Sequence, residues 1–139
     1  MKVMHTLLVA LVLAIASLSA YAGTHAKMEH VVLQVDDNDQ AKWNLALNNA
    51  QNLQHAYKGN VKVEIVTYGP GVNMLKMESV VGNRVADAKK SGVAIVACQN
   101  TMRKMKLTNA DMLPNTSYVP AGIVEVIKKE RAGYAYIKP

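Results

Sequence analysis

The segment VAIVACQNTM, residues 93–102, passes from five apolar residues to the single cysteine of the chain and then to three polar residues. A short apolar run rich in β-branched residues is typical of a strand buried on both faces, and the polar residues after it indicate the start of a helix. Cys98 is therefore predicted at the carboxyl end of a strand and facing a helix N-terminus. This is the place where α/β proteins build their sites.

Strand-like and helix-like segments alternate along the rest of the chain. Strands are predicted at residues 30–35, 61–68 and 134–137, with a brief extended piece within 118–122, and helices at 41–57, 72–90, 101–113 and 123–131. Gly82 leaves open whether residues 72–90 form one helix or two. Alternation of this kind predicts parallel strand pairing with right-handed crossovers, and hence an α/β sandwich with a mostly parallel sheet and helices on both faces.

Residues 1–22 have the features of a cleaved secretory signal. Lys2 supplies the positive charge, Leu7 to Leu18 form an apolar stretch, and Ala20-Tyr21-Ala22 is a small-x-small cleavage site. The sequence predicts cleavage after Ala22 and export, most simply to a bacterial periplasm. Removing 22 of the 139 residues leaves 117, enough for the single domain predicted at residues 23–139.

The charge of the chain is moderately basic and its basic residues are scattered. Loss of Lys2 lowers the formal net charge from +6 to +5, since 15 basic and 10 acidic residues remain. Nucleic-acid binders concentrate such residues and interleave aromatics, whereas this chain has one Trp and no Phe. We expect no nucleic-acid partner and no membrane contact after cleavage; a preference for anionic small molecules or an acidic protein partner stays open.

The lone cysteine admits two interpretations. An odd cysteine in an exported protein indicates an intermolecular bond or a free thiol, whereas most free cysteines are buried and inert. The dipole of the following helix, with Arg103 or Lys104 one turn on, favours the thiolate, and nearby carboxylates oppose it. We interpret Cys98 as a functional thiol and keep the buried structural residue as the alternative.

The other strand ends meet Cys98 at one edge of a parallel sheet. The predicted pocket around Cys98 comprises Asp36, Gly69, Pro70, Gly71, Gln99, Asn100 and Thr101. The Gly-Pro-Gly turn is too short for a phosphate loop, and the aspartates after the first strand lack calcium-loop spacing, so we expect no metal and no cofactor. A Cu(I) site formed by Cys98, Met102 and Met105 is a third hypothesis, set against methionine as core filler.

Four segments in order resemble the DsrE/DsrF-like family of small α/β proteins linked to sulfur metabolism. They are HVVLQVDD at 30–37, TYGPGVNML at 67–75, VAIVACQNTM at 93–102 and VPAGIVEVIKKERAGYAYIKP at 119–139. The resemblance implies a flavodoxin-like fold, assembly into trimers or hexamers, and a cysteine near the end of a central strand that carries persulfide sulfur between partner proteins. Cys98 matches that position.

Two features separate this chain from the sulfur-relay branches of that family. Asn100-Thr101-Met102 keeps the pattern of relatives outside those branches, although many of those relatives have glycine at the position of Gln99. Export also separates this chain from relatives whose partners are cytosolic. The leading hypothesis is a periplasmic, homo-oligomeric persulfide carrier that uses Cys98 and a sulfur-donor or sulfur-acceptor protein. The alternative is a non-catalytic module that binds a small ligand or a partner.

Overall fold

The computed structural model describes residues 27–139 and is built around one parallel β-sheet. Its strands are β1 (Glu29–Val35), β2 (Val61–Thr67), β3 (Ala94–Cys98), β4 (Ser117–Val119) and β5 (Ala135–Ile137). Their order is β4-β3-β2-β1-β5, and every neighbouring pair is parallel. The predicted signal segment lies outside the described residues, so its cleavage stays a prediction.

Four α-helices connect these strands. They are α1 (Gln40–Ala56), α2 (Gly82–Lys90), α3 (Gln99–Lys104) and α4 (Gly122–Arg131). Asp39 caps α1, as its side chain accepts a hydrogen bond from the Ala41 amide over 2.8 Å. Each described helix is too short or too polar to span a lipid bilayer.

The sheet is covered on both faces, but unequally. The main core joins α1, α2 and α3 to one face, with Leu33 and Ile65 fully buried. A smaller cluster on the other face consists of Val32, Val66 and Val96 under Val126 of α4. The prediction of an α/β sandwich with a parallel sheet and helices on both faces is confirmed.

Cys98 lies where the chain changes from one face to the other. The helix after β3, α3, buries Met102 in the main core, whereas α4, which follows β4, packs on the opposite face. Cys98 pairs with Val119, the last residue of β4. The helices that follow the adjacent strands β3 and β4 thus lie on opposite faces, and Cys98 lies at the carboxyl edge of the sheet, where sites of this fold class are found.

Two predicted helices differ from the observed ones. Residues 72–90 form two pieces, a 3-10 helix (Gly69–Leu75) and α2, so the doubt raised by Gly82 is settled in favour of two. The helix predicted at 101–113 begins at Gln99 and ends at Lys104, so that prediction was wrong at both ends. Lys106 has a φ of +57° and ends the helical turn, and a 3-10 helix (Asn109–Asp111) follows.

Candidate functional site

Cys98 is both the last residue of β3 and the N-cap of α3. Its Sγ accepts a hydrogen bond from the backbone N–H of Thr101 over 3.4 Å, in the way that a Ser or Asp cap accepts one. The residue is only 4% exposed. The thiol is thus oriented by the first turn of the helix that its own strand leads into.

Thr101 connects the thiol to the turn that follows β2. The backbone N–H of Gly69 donates to Thr101 Oγ1 over 2.9 Å. A hydroxyl that accepts one hydrogen bond keeps its own proton for donation, and the Thr101 hydroxyl helps to lower the pKa of the Cys98 thiol. The predicted association of Thr101 and the Gly-Pro-Gly turn is therefore a direct contact.

A second helix N-terminus lies beside the thiol. The N–H of Asn100 donates to the Pro120 carbonyl oxygen over 3.2 Å, which joins the start of α3 to the connector that leads into α4. The backbone amide of Gly122, the first residue of α4, helps to lower the pKa of the Cys98 thiol. Sequence reasoning missed Gly122, because its contact with Cys98 depends on how β3 and β4 pair.

These neighbours decide the ionisation of the thiol. Burial raises the pKa of Cys98, but hydrogen bonds from the Thr101 hydroxyl and from the amides of Thr101, Gly122 and Asn100 outweigh it, so that the net pKa is lowered. Hydrogen bonds to the charged form favour that form. The site therefore favours the thiolate more than an ordinary cysteine environment does, although Cys98 is almost completely covered.

The Gly-Pro-Gly turn packs directly on the end of β1. A Cβ atom at Gly71 would lie 2.2 Å from the carbonyl oxygen of Val35, so only glycine allows this approach. Pro70 is exposed, as are Gln99 and Asn100. The turn thus packs against the end of β1 and leaves Pro70 exposed.

Asp36 belongs to a separate polar group on the β5 side of the sheet. Its Oδ2 accepts hydrogen bonds from Gln34 Nε2 and from Lys138 Nζ, each over 3.0 Å. Because Asp36 follows β1 and Cys98 ends β3, the two are separated by two strand spacings, about 10 Å. Asp36 therefore shares the sheet edge with Cys98 but is engaged elsewhere.

The two methionines that follow Cys98 lie in different environments. Met102 is buried in the main core, whereas Met105 is 36% exposed. Within residues 27–139 the structure contains no group of three or more His, Cys, Asp or Glu side chains that could hold a metal ion. The geometry gives the Cu(I) hypothesis no specific support.

Three surface clefts of about 250 to 420 Å³ lie away from Cys98. One lies between α1 and α2 beside His55 and Arg84, a second beside Trp43 and Lys76, and a third beside Val80 and Pro114. Cys98 lines none of these three. The candidate site is accordingly defined by the thiol and its hydrogen bonds rather than by these clefts.

Comparison with known proteins agrees with the fold and with the four sequence segments. The model of the DsrE/DsrF-like family matches residues 28–139. This chain belongs to the DsrE/DsrF-like family. A search of curated proteins gives no match.

Two solved structures are similar to this member of the family. One is a protein of unknown function, MTH1491, from Methanobacterium thermoautotrophicum, with a TM-score of 0.76, 31% identity, and coverage of 80% of this chain and 99% of that one. The other is a conserved protein of unknown function, BT1422, from Bacteroides thetaiotaomicron, with a TM-score of 0.62, 15% identity, and coverage of 80% and 95%. The second likeness concerns the fold alone.

Proposed function

We propose that this DsrE-like protein is a persulfide carrier or transfer protein in which Cys98 holds sulfane sulfur. The observation that carries the proposal is the hydrogen bond from the Thr101 amide to Cys98 Sγ at the start of α3. Together with the Thr101 hydroxyl and the backbone amides of Gly122 and Asn100, it lowers the pKa of the Cys98 thiol. A thiolate is the nucleophile in sulfur chemistry, so a site that lowers the pKa of its thiol is suited to accept sulfur. Family membership favours the same chemistry.

The loading step conserves atoms and charge without an external oxidant or reductant. The Cys98 thiolate attacks the outer sulfur of a donor persulfide, R–S–SH; a new S–S bond forms to Cys98, the donor S–S bond breaks, and the donor leaves as R–S⁻. Cys98-S-SH then loses its proton to solvent and persists as Cys98-S-S⁻. In the unloading step the outer sulfur takes a proton back from solvent and an acceptor thiolate attacks it; the new S–S bond forms to the acceptor, the Cys98 S–S bond breaks, and the Cys98 thiolate is the leaving group.

The residues around Cys98 have distinct roles in this proposal. The Thr101 hydroxyl and the amides that follow Cys98 stabilise the persulfide anion, and Asn100 and Gln99 form the exposed rim that a partner meets. Gly69, Pro70 and Gly71 hold Thr101 in place from the neighbouring strand end. Asp36, which Gln34 and Lys138 engage on the β5 side, has no role in this proposal.

Location and assembly form part of the same proposal. Cleavage after Ala22 would release residues 23–139 into the periplasm, where the protein would form a homo-oligomer and exchange sulfur with a donor or acceptor protein. The apolar side chains that α4 exposes, Ile123, Val124 and Ile127, favour an assembly that covers them.

Cold cyanolysis tests the proposal, because cyanide removes sulfane sulfur as thiocyanate. Protein incubated with polysulfide and freed of excess reagent should release one or more thiocyanates per chain, all from sulfur held on its single cysteine. The Cys98→Ser variant should release none. Equal release from both proteins would contradict the role of Cys98.

A second function, a binding module without turnover, is favoured by one observation. The Cys98 side chain is only 4% exposed, as expected of a structural cysteine. Under this alternative the thiol resists alkylation in the native protein and reacts only after unfolding. Alkylation of the native protein at a rate that follows thiolate formation would exclude it.

A further inference from the structure

We propose that Gly122 is a positioning residue whose missing side chain lets the first turn of α4 approach Cys98 past the ring of Tyr68. This inference rests on the proposed function, for it identifies what sets the reactivity of the same thiol. Its central contact lies between two residues that are far apart in sequence, one after β2 and one after β4. Neither residue belongs to the pocket that the sequence predicts.

The contact between Gly122 and Tyr68 leaves no room for any side chain. A Cβ atom at Gly122 would lie 2.7 Å from Tyr68 Cβ and 2.9 Å from Tyr68 Cδ1. Real Cβ atoms do not approach other carbons so closely, so one of the two elements would have to move. Gly122 itself is buried, so an added methyl group could not be accommodated by turning toward solvent.

Tyr68 cannot easily yield the space. It is half-buried and packs against the apolar clusters on both faces of the sheet. Its backbone directly precedes Gly69, whose N–H donates to the Thr101 hydroxyl, so a shift of Tyr68 would also disturb the support of the thiol. The element that moves is therefore the start of α4.

The start of α4 has free amides that suit an anion. Ala121, its N-cap, has no side-chain oxygen, and α4 begins without a side-chain cap hydrogen bond. The first amides of a helix lack intrahelical partners and carry the positive end of the helix dipole. A thiolate or persulfide on Cys98 can take the place of the missing cap, provided that α4 comes close enough.

Gly122→Ala is the direct test, read from the pH dependence of Cys98 alkylation in the native protein. The variant should shift the alkylation midpoint to higher pH and reduce the rate at pH 7 by about two- to fivefold relative to its alkaline plateau, the range expected for a helix-terminus interaction. The matched control is Gly82→Ala at the first residue of α2, where a Cβ would meet only the flexible Leu113 side chain at 3.1 Å. It should keep the wild-type midpoint.

A double variant that removes the Tyr68 side chain distinguishes a positioning role of Gly122 from general destabilisation of the fold. Tyr68→Gly removes the three atoms nearest to a methyl group at position 122, so Tyr68→Gly/Gly122→Ala should have the same midpoint as Tyr68→Gly alone. A folded Gly122→Ala protein with the wild-type midpoint overturns the inference. If Gly122→Ala does not fold, a double variant with a midpoint above that of Tyr68→Gly overturns it instead.

The same experiment distinguishes this inference from the proposed function. Alkylation measures ionisation of the thiol and involves no sulfane sulfur. A shifted midpoint in Gly122→Ala supports the positioning role even when wild-type protein fails to load sulfur, and that failure counts against the persulfide role alone. An unshifted midpoint in a protein that loads sulfur counts against the role of Gly122 alone.

Discussion

At the scale of single residues, the lowered pKa of Cys98 depends on donors from two segments of the chain, the starts of α3 and α4. Thr101 contributes both its amide and its hydroxyl, Asn100 contributes its amide, and Gly122 approaches from the start of α4. Gly69 then fixes the hydroxyl of Thr101 from the end of β2. The contribution of the Thr101 hydroxyl can be tested separately, because valine has nearly the same shape without the donor.

Thr101→Val should raise the pKa of Cys98, since it removes the hydroxyl that donates to the thiolate and leaves the backbone amide in place. The measurement is the pH midpoint of native alkylation. Thr101→Ser, which keeps a hydroxyl, should stay near wild type, and Thr116→Val, whose hydroxyl bonds to the Leu113 carbonyl, is the control for a lost threonine elsewhere. An unchanged midpoint in Thr101→Val would show that the hydroxyl does not support the thiolate.

The lowered pKa of Cys98 also predicts how stability depends on pH. Between the folded-state pKa and the ordinary value of 9.0, the unfolded chain binds more protons at this site than the folded chain does. The contribution of the thiolate to stability therefore rises with pH in that window, is complete above 9.0, and is lost as pH falls through the folded-state pKa. The difference in unfolding free energy between wild type and Cys98→Ala should increase from neutral to alkaline pH; a difference that stays constant or shrinks would contradict the lowered pKa.

Part of this residue-scale arrangement is predictable from sequence. A cysteine after an apolar run and before Gln99-Asn100-Thr101 indicates a strand end and a helix start, and parallel pairing brings the Gly-Pro-Gly turn to the same edge. The contact of Gly122 with Tyr68 is not predictable in this way, because it depends on the distance between two packed elements. The engagement of Asp36 by Lys138 likewise requires that β5 pair with β1.

At the scale of elements, α4 is held on its face of the sheet by a buried ion pair. Lys129 Nζ lies 2.5 Å from Oε2 of Glu64, a residue in the middle of β2 that is 7% exposed. Burial lowers the pKa of Lys129, but the hydrogen bond and charge of Glu64 outweigh it and raise the pKa overall. Within residues 27–139, Oε1 of Glu64 is buried with no hydrogen-bond partner, so the carboxylate depends strongly on Lys129.

Lys129→Met should destabilise the fold by about 3 kcal/mol, because it leaves a buried carboxylate without its partner. Urea unfolding measures the change. The double variant Glu64→Leu/Lys129→Met should recover most of the loss, since an apolar pair of similar volume needs no partner. A double variant that is no more stable than Lys129→Met would show that the ion pair is not what stabilises the packing of α4 on the sheet.

The end of α3 shows why helix lengths were less predictable than strands. Apolar spacing through Met102, Met105 and Leu107 favours a helix that continues to Pro114. Lys106 instead adopts a left-handed conformation, and Leu107 donates its N–H to the Met102 carbonyl over 2.9 Å, as at a helix end. The left-handed residue that ends a helix is usually Gly or Asn, so the lysine at position 106 gave no indication in the sequence that the helix ends there.

At the scale of the whole molecule, the two faces of the sheet are covered unequally. Within the described chain, α4 is the one helix on its face, and its apolar side chains Ile123, Val124 and Ile127 are 50%, 46% and 41% exposed. Residues of this kind on one helix face are typical of protein contacts. The sequence predicts the alternation of strands and helices, and hence a layer of helices on each face of the sheet. It does not predict which face is covered by fewer helices.

The proposed homo-oligomer predicts that a charge on the exposed side of α4 weakens assembly. Ile127→Lys should sediment as a smaller species than wild type at equal concentration in sedimentation velocity. Leu45→Lys, at a residue of α1 that is 45% exposed on the opposite side of the sheet, is the matched control and should leave the size unchanged. Wild-type protein that sediments as a monomer, or an Ile127→Lys variant of wild-type size, would contradict the assembly through α4.

The most direct test of the persulfide role is the intact mass of the protein before and after exposure to polysulfide. The account predicts a gain of one or more sulfur atoms, ~32 Da each, that a reductant removes and that Cys98→Ser does not show. No gain in the wild type, together with a thiol that reacts with an alkylating reagent only after unfolding, would contradict it. Cys98 would then be a buried structural residue at the start of α3.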